Sequence, residues 1–335
     1  MKIIAPSLTD LKPKRMLNMQ YLAILAVIIL ICLIAWIVNP RFLMPQNFLN
    51  LFQAIAVLGI VASGVGMLLI AGEIDISVGA QVSVIGVVMG MIIQKIGGTT
   101  GPSVLPALAP YAPYLAVVAA VLSGALLGAI NGITVVKTKA PSFIITLCFS
   151  FIYSGLALIL THMTYYYLGD KFTFLGRGYI FSRVPASIPF LLLALLISFV
   201  VLRYTKYGRF LYATGGNRKA AYVSGINTDA TLIKAYIVVG LMNALAAMIL
   251  VSRVSQAMYN TGDSYSLDAL ASIIVGGIAL NGGKGSALSI LLGVVLIGLI
   301  SNALVLMSIN SNYQKCVTGL VMLVAVSIGY IRRNA

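Results

Sequence analysis

Seven acidic residues, one histidine and three cysteines are the whole stock of groups in this chain for acid–base, metal or nucleophilic chemistry. The acids are Asp10, Glu73, Asp75, Asp170, Asp229, Asp263 and Asp268. Carboxylates held at membrane depth bind and release coupling ions. Of these seven only Glu73, Asp75 and Asp268 adjoin apolar runs, each at an expected run end. His162 has no carboxylate or cysteine beside it and reads as an interfacial residue. Cys32, Cys148 and Cys316 lie within apolar stretches, where a thiol behaves as a small hydrophobe, and their spacing fits neither a disulfide framework nor a metal site. Gly282-Gly283-Lys284-Gly285 lacks the glycine-to-lysine spacing and the preceding strand of a phosphate loop. No catalysis, metal, cofactor or ATP site of its own is expected. Energy must come from a partner subunit or an ion gradient.

The elements that position these groups are membrane helices. The chain has 335 residues, 60% hydrophobic and 9% charged, with a mean hydropathy of +1.04, and no soluble domain of that length is so poor in charge. Continuous apolar runs near 20 residues, without period-two alternation, indicate helices and not a barrel. The expected class is an all-α polytopic integral membrane protein with about ten transmembrane helices. They are Gln20–Val38, Asn50–Ala71, Ile76–Gln94, Pro113–Val136, Pro141–Leu160, Ile188–Leu202, Leu232–Ser252, Asp268–Leu280, Ser286–Met307 and Lys315–Tyr330. The eighth is short, so irregular backbone shielded by protein is expected at one of its ends. Residues 1–16 form a tail and 17–335 a single membrane domain, interrupted by a polar loop at 203–229.

Basic residues set the orientation. With the N-terminus inside, about two thirds of the 22 lysines and arginines fall in inner segments, so both termini and the 203–229 loop are expected in the cytoplasm. The net charge of +15 then reflects this asymmetry and contact with anionic lipid. Basic residues scattered over separate loops make no nucleic-acid patch. The first apolar run is too long for a signal peptide and lacks a small-residue cleavage site.

Three motifs resemble one family. The loop reads Gly215-Gly216-Asn217-Arg218-Lys219-Ala220-Ala221, then Ser224-Gly225-Ile226-Asn227, with small residues leaving one face of a short helix bare. Gly72-Glu73-Ile74-Asp75-Ile76-Ser77-Val78-Gly79 resembles an Ile-Asp-Leu-Ser-Val-Gly signature. Leu267-Asp268-Ala269-Leu270-Ala271-Ser272, followed by Gly282-Gly283-Lys284-Gly285, resembles a third. Together they are similar to the permease subunits of bacterial ABC importers of the ribose, xylose and galactose type, over roughly residues 47–330. The resemblance implies a multi-pass inner-membrane permease that moves a monosaccharide or similar polyol. It also implies a second permease subunit, identical or not, a partner ATPase holding ATP and Mg, and a periplasmic binding protein. Gly215, Gly216, Asn217, Arg218, Lys219, Ala220, Ala221, Ser224 and Gly225 become candidates for ATPase coupling. Glu73, Asp75, Ser77, Asp268 and Ser272 become candidates for the pathway or a gate.

For Asp75 two roles stand side by side. One is a helix cap, accepting from the free amides of the third helix's first turn; the other is a direct part in the pathway. The Gly72–Gly79 and Gly262–Gly276 junctions are loosely alike, which is compatible with a five-plus-five inverted repeat. Glycines and serines within the spans suit close helix packing. Tyr165-Tyr166-Tyr167 suits an outer interfacial belt, or a sugar-stacking platform. Two positions depart from the family pattern: Arg218 stands where a glutamate usually opens the loop's Glu-Ala-Ala element, and Ser266 where glutamate often precedes Leu-Asp-Ala. An ion-coupled secondary transporter, and an ABC permease for nucleosides or branched-chain amino acids, are the alternatives.

Overall fold

The computed structural model describes residues 14–309 and positions 313, 316, 317, 319, 320 and 323. Of the expected tenth span, Lys315–Tyr330, only positions 316, 317, 319, 320 and 323 are described, and the tail before residue 14 lies outside the described residues. The helices are α1 (Lys14–Val38), α2 (Pro45–Ile70), α3 (Val78–Lys95), α4 (Ala112–Thr138), α5 (Ser142–Thr161), α6 (Phe174–Arg177), α7 (Ser187–Tyr204), α8 (Lys206–Gly216), α9 (Arg218–Val223), α10 (Thr228–Val254), α11 (Tyr265–Val275) and α12 (Ala287–Leu306). Among the described residues four short strands accompany them: β1 (Tyr165–Tyr167), β2 (Tyr179–Ile180), β3 (Val184–Pro185) and β4 (Gln256–Met258). Among the described residues eight helices are long and apolar enough to cross a membrane, and α1 starts at Lys14, inside the expected tail.

The middle of the bundle is α2, α3 and α10, which are mostly buried, whereas α1 and α5 are mostly exposed. An exposed apolar face on a spanning helix suits lipid or a neighbouring subunit. Backbone contact brings α4 onto α10, because a Cβ at Gly124 or Gly240 would run into the other's carbonyl oxygen. Close backbone contact also joins α11 to α12: a Cβ on Gly276, the residue after α11, would meet the Ser289 carbonyl, and one on Gly293 the Ser272 carbonyl. Helix α1 lies parallel to α12: Tyr21 bonds Ser286 near the start of both, and Asn39 donates to the Leu306 carbonyl near the end of both.

Two ends of the bundle are distinct. One gathers the α2–α3 junction, the α4–α5 turn, α8, α9 and the 279–286 segment, joined by the Gly283 amide donating to the Ile70 carbonyl at 2.8 Å. The other carries the antiparallel β1–β4 pair, in register Tyr165 with Met258. There Tyr166 is buried and its hydroxyl donates to the Leu160 carbonyl, so the middle tyrosine of the triplet braces the fold. His162 ends α5 in a left-handed conformation at this same end.

The short eighth element behaves as its length demands. Helix α11 has 11 residues, about 16 Å at 1.5 Å per residue, too little to span. The chain from β4 to Ser264 runs irregularly along α3, with the Gly262 amide donating to Ser83 Oγ at 2.8 Å. Gly262 is buried against α3, whereas Asn260, Asp263 and Ser264 are exposed, so the irregular segment is shielded on its α3 side and open on the other.

Candidate functional site

The α2–α3 junction is where acidic chemistry meets the buried core. Gly72 takes φ +88°, a left-handed turn that glycine adopts without strain, and redirects the chain after α2. The next residues run without helix, their amides anchored on α5: Ile74 donates to Ser142 Oγ at 3.1 Å and Ile76 to Thr146 Oγ at 3.2 Å. This delivers Asp75 into the bundle with no exposed surface. Its partner Asn131 sits seven residues before the end of α4, about 10 Å along that helix. Asp75 is therefore deeper than the span end at which the sequence placed it.

Four donors surround the carboxylate. Oδ1 accepts from the Ser77 amide at 2.8 Å and the Ser77 hydroxyl at 2.6 Å. Oδ2 accepts from Gln81 Nε2 and Asn131 Nδ2, both at 3.2 Å. Those amides also donate to Ser77 Oγ, at 2.9 and 2.8 Å. Two arms extend outward: the Tyr153 hydroxyl donates to Asn131 Oδ1 at 2.8 Å, and Asn243 Nδ2 donates to Gln81 Oε1 at 3.0 Å. The shorter bonds of both arms have their donors aimed toward Asp75, and the Tyr153 hydroxyl also lies 3.4 Å from the Leu127 carbonyl. Among the described residues both ion pairs belong to Arg218, so the buried carboxylate is held by neutral dipoles alone.

The cap differs from the one the sequence suggests. Asp75 serves the amide of Ser77, which precedes α3, and not the free amides of the helix's first turn. The first-turn amide of Gly79 goes instead to Ser266 Oγ of α11, at 2.9 Å. Ser266, a departure from the family pattern, thus closes α3 from 187 residues away. Ser77 and Ser272 are fully buried, and Ser272 donates to Ala269 within its own helix. Asp268 lies in the first turn of α11.

At the loop end, three glycine-bearing segments meet backbone to backbone. A Cβ on Gly215 would strike the Ile70 carbonyl, and Gly282 and Gly283 press on Gly72 and Gly216. This is the use the fold makes of Gly-Gly-Lys-Gly. Asn217 caps α9, its side chain accepting from the Ala220 amide at 3.0 Å. Gly225, at φ +84°, ends α9 with the paired bonds Ile226 to Ala221 and Gly225 to Tyr222 that mark a left-handed helix stop. Ala221 is buried, whereas Gly216, Lys219, Ala220 and Ser224 are exposed. Arg218 turns back to its own chain: it meets Glu73 at 3.3 Å and Asp229 at 3.0 Å. Burial raises the Glu73 pKa, against lowering by a hydrogen bond from Ser142 and the charge of Arg218.

Several residues of this region do not stand out in the sequence motifs. Tyr222 and Val223 are 71% and 85% exposed at the tip of α9. Gln81, Asn131 and Asn243 are uncharged amides inside apolar helices, and that rarity is the signal by which they are recognisable. Among the described residues no group of acids, histidines and cysteines is placed to hold a metal.

A family model described as "Branched-chain amino acid transport system / permease component" matches residues 47–326. The ribose import permease protein RbsC of Bacillus subtilis is 38% identical over 312 residues, covering 92% of each chain. Its Escherichia coli K12 namesake is 32% identical, over 92% of this chain and 93% of its own. The fructose import permease protein FrcC of Rhizobium meliloti is 28% identical, over 100% and 96%. No solved structure matches. With the match running from the start of α2 past α12, the chain belongs to this family of transport-system permease components.

Proposed function

We propose that this chain is the membrane permease subunit of an ABC importer that carries a monosaccharide or similar polyol into the cytoplasm. ATP and Mg belong to a partner ATPase, the solute arrives from a periplasmic binding protein, and a second permease subunit completes the path. The observation that carries the reading is α9. It is a short capped helix displayed at one end of an apolar bundle, with its base fixed by backbone contact among Gly72, Gly215 and Gly283. An exposed helix on a rigid base can transmit the movement of a docked partner. The names of the relatives support a sugar over the amino acid in the family's description, since ribose and fructose permeases match almost the whole chain. In this reading the α9 end faces the cytoplasm, as the basic residues of the 203–229 loop require.

The test is to place tryptophan at Ala220, whose side chain is exposed, and measure ribose uptake and ATP hydrolysis with the ATPase and binding protein present. Both activities fall while the permease stays inserted. Normal transport by this variant, or uptake into vesicles without any ATPase, refutes the reading.

A further inference from the structure

We propose that Arg218 is a positioning residue that locks α9 to Glu73, so that displacement of α9 is passed through the α2–α3 junction to the buried Asp75 network; this rests on α9 being the ATPase-docking helix. The guanidinium spans two carboxylates from different parts of the chain, Glu73 at 3.3 Å and Asp229 at 3.0 Å. A planar fork with several donors bridges two acids in a way that a lysine does not. Asp229 stands in the first turn of α10, whereas Glu73 stands two residues from Asp75. Arg218 thus joins the base of a core helix to the segment that feeds the network.

The two carboxylates are unequal. Asp229 is 61% exposed on its side chain, so its pair is screened by water, whereas Glu73 is 13% exposed and set in the fold. The backbone beyond Glu73 is held to α5 at Ile74 and Ile76. A pull on Glu73 therefore reaches Ser77 and Asp75 over a few residues with little slack. Glu73, Arg218 and Asp229, with Lys139 and Tyr222, line an open polar cleft of about 450 Å³. This gives Arg218 a use that its departure from the usual acid leaves unexplained: the base serves the permease's own acids, and the partner contact falls to the exposed tip.

The experiment uses the whole complex in vesicles with D-ribose as the probe. Glu73→Gln, Arg218→Gln, their double variant and Arg218→Lys are compared for thermal unfolding, co-purification of the ATPase, and ribose moved per ATP hydrolysed. Each single glutamine variant is expected to lower ribose per ATP roughly two- to tenfold, and the double variant no further, because groups in one ion-pair network are not additive. The ATPase still co-purifies, and Arg218→Lys falls between wild type and Arg218→Gln. Additive losses would overturn the link. So would loss of the ATPase in Arg218→Gln alone, which would make Arg218 a direct partner contact. The Ala220→Trp variant separates the two readings: if it transports normally, the docking role of α9 fails first and the proposal falls with it.

Discussion

Replacing Asp75 tests the network at its centre. Asp75→Asn keeps one oxygen for the Ser77 amide and hydroxyl but turns an amide nitrogen toward two other donors, Gln81 Nε2 and Asn131 Nδ2. A hydrogen bond to a charged group contributes about 1.5–3 kcal/mol, and both lost bonds, at 3.2 Å, belong at the weak end, for a total of about 3 kcal/mol. Inverting the neighbouring amides is no remedy. It would strip Ser77 Oγ of both its donors and leave the Asn243 nitrogen without an acceptor, and Asn243 Oδ1 already lacks a partner. Removing a buried charge offsets part of the loss, so about 2–3 kcal/mol is expected for Asn. Asp75→Ala abandons all four donors and is expected to lose about 4 kcal/mol or more. The sequence alone suggests a cap, with Asn costing at most about 1 kcal/mol; the two amide donors raise that figure. Thermal unfolding in detergent, with ribose uptake normalised to folded protein, reads both effects. An Asn variant as stable as wild type would refute the network, and a stable Asn variant with abolished uptake would show that Asp75 acts through its charge in transport.

Three further outcomes follow from the loop end. Gly215→Ala should lower the unfolding midpoint, because its Cβ meets the Ile70 carbonyl, while Gly216→Ala, with open space around it, should not; equal effects would contradict the three-segment contact. Single cysteines at Lys139 and Lys219 should resist an impermeant thiol reagent in intact cells and ones at Asp170 and Asn260 should react, and labelling at Lys219 would reverse the orientation. Burial holds the Glu73 proton to a higher pH than the unfolded chain's 4.5, so between that value and the raised one stability should fall as pH rises. Glu73→Gln should flatten that slope, and an unchanged slope would assign it to other groups.

The bundle was legible in the sequence because hydropathy and length decide spanning helices almost alone. Eight long helices stand where apolar runs predict them, and even the weakness of the eighth run, now α11, carries its physical meaning. The site was legible only in outline. Glu73, Asp75 and the glycines mark the right segments, but the burial of Asp75 depends on the 71–77 chain being anchored by Ser142 and Thr146, some 70 residues away. Nor could Ser266 be seen to cap α3, since that bond joins positions 187 residues apart. Local pattern reports which residues are unusual. Which of them meet is decided by long-range packing.

The direction of the hydrogen bonds bears on the ion-coupled alternative. A coupling carboxylate must gain and lose its proton or ion as the protein cycles, which requires a neutral form about as well accommodated as the charged one. Around Asp75 the charged form is favoured by geometry: two donors meet each oxygen, and the arms through Tyr153–Asn131 and Asn243–Gln81 have their donors aimed inward. A proton on Asp75 would be a fifth donor in a site built from donors, and accepting it would mean turning round either Gln81 and Asn243, or Asn131 with the Tyr153 hydroxyl shifted to the Leu127 carbonyl at 3.4 Å. Glu73 is nearer the surface but is paired with Arg218. The donors aimed at Asp75 and the Arg218 pair on Glu73 thus oppose the desolvation that burial imposes, which suits the proposed reading, in which the energy for movement is applied from outside through α9, better than an ion-coupled one.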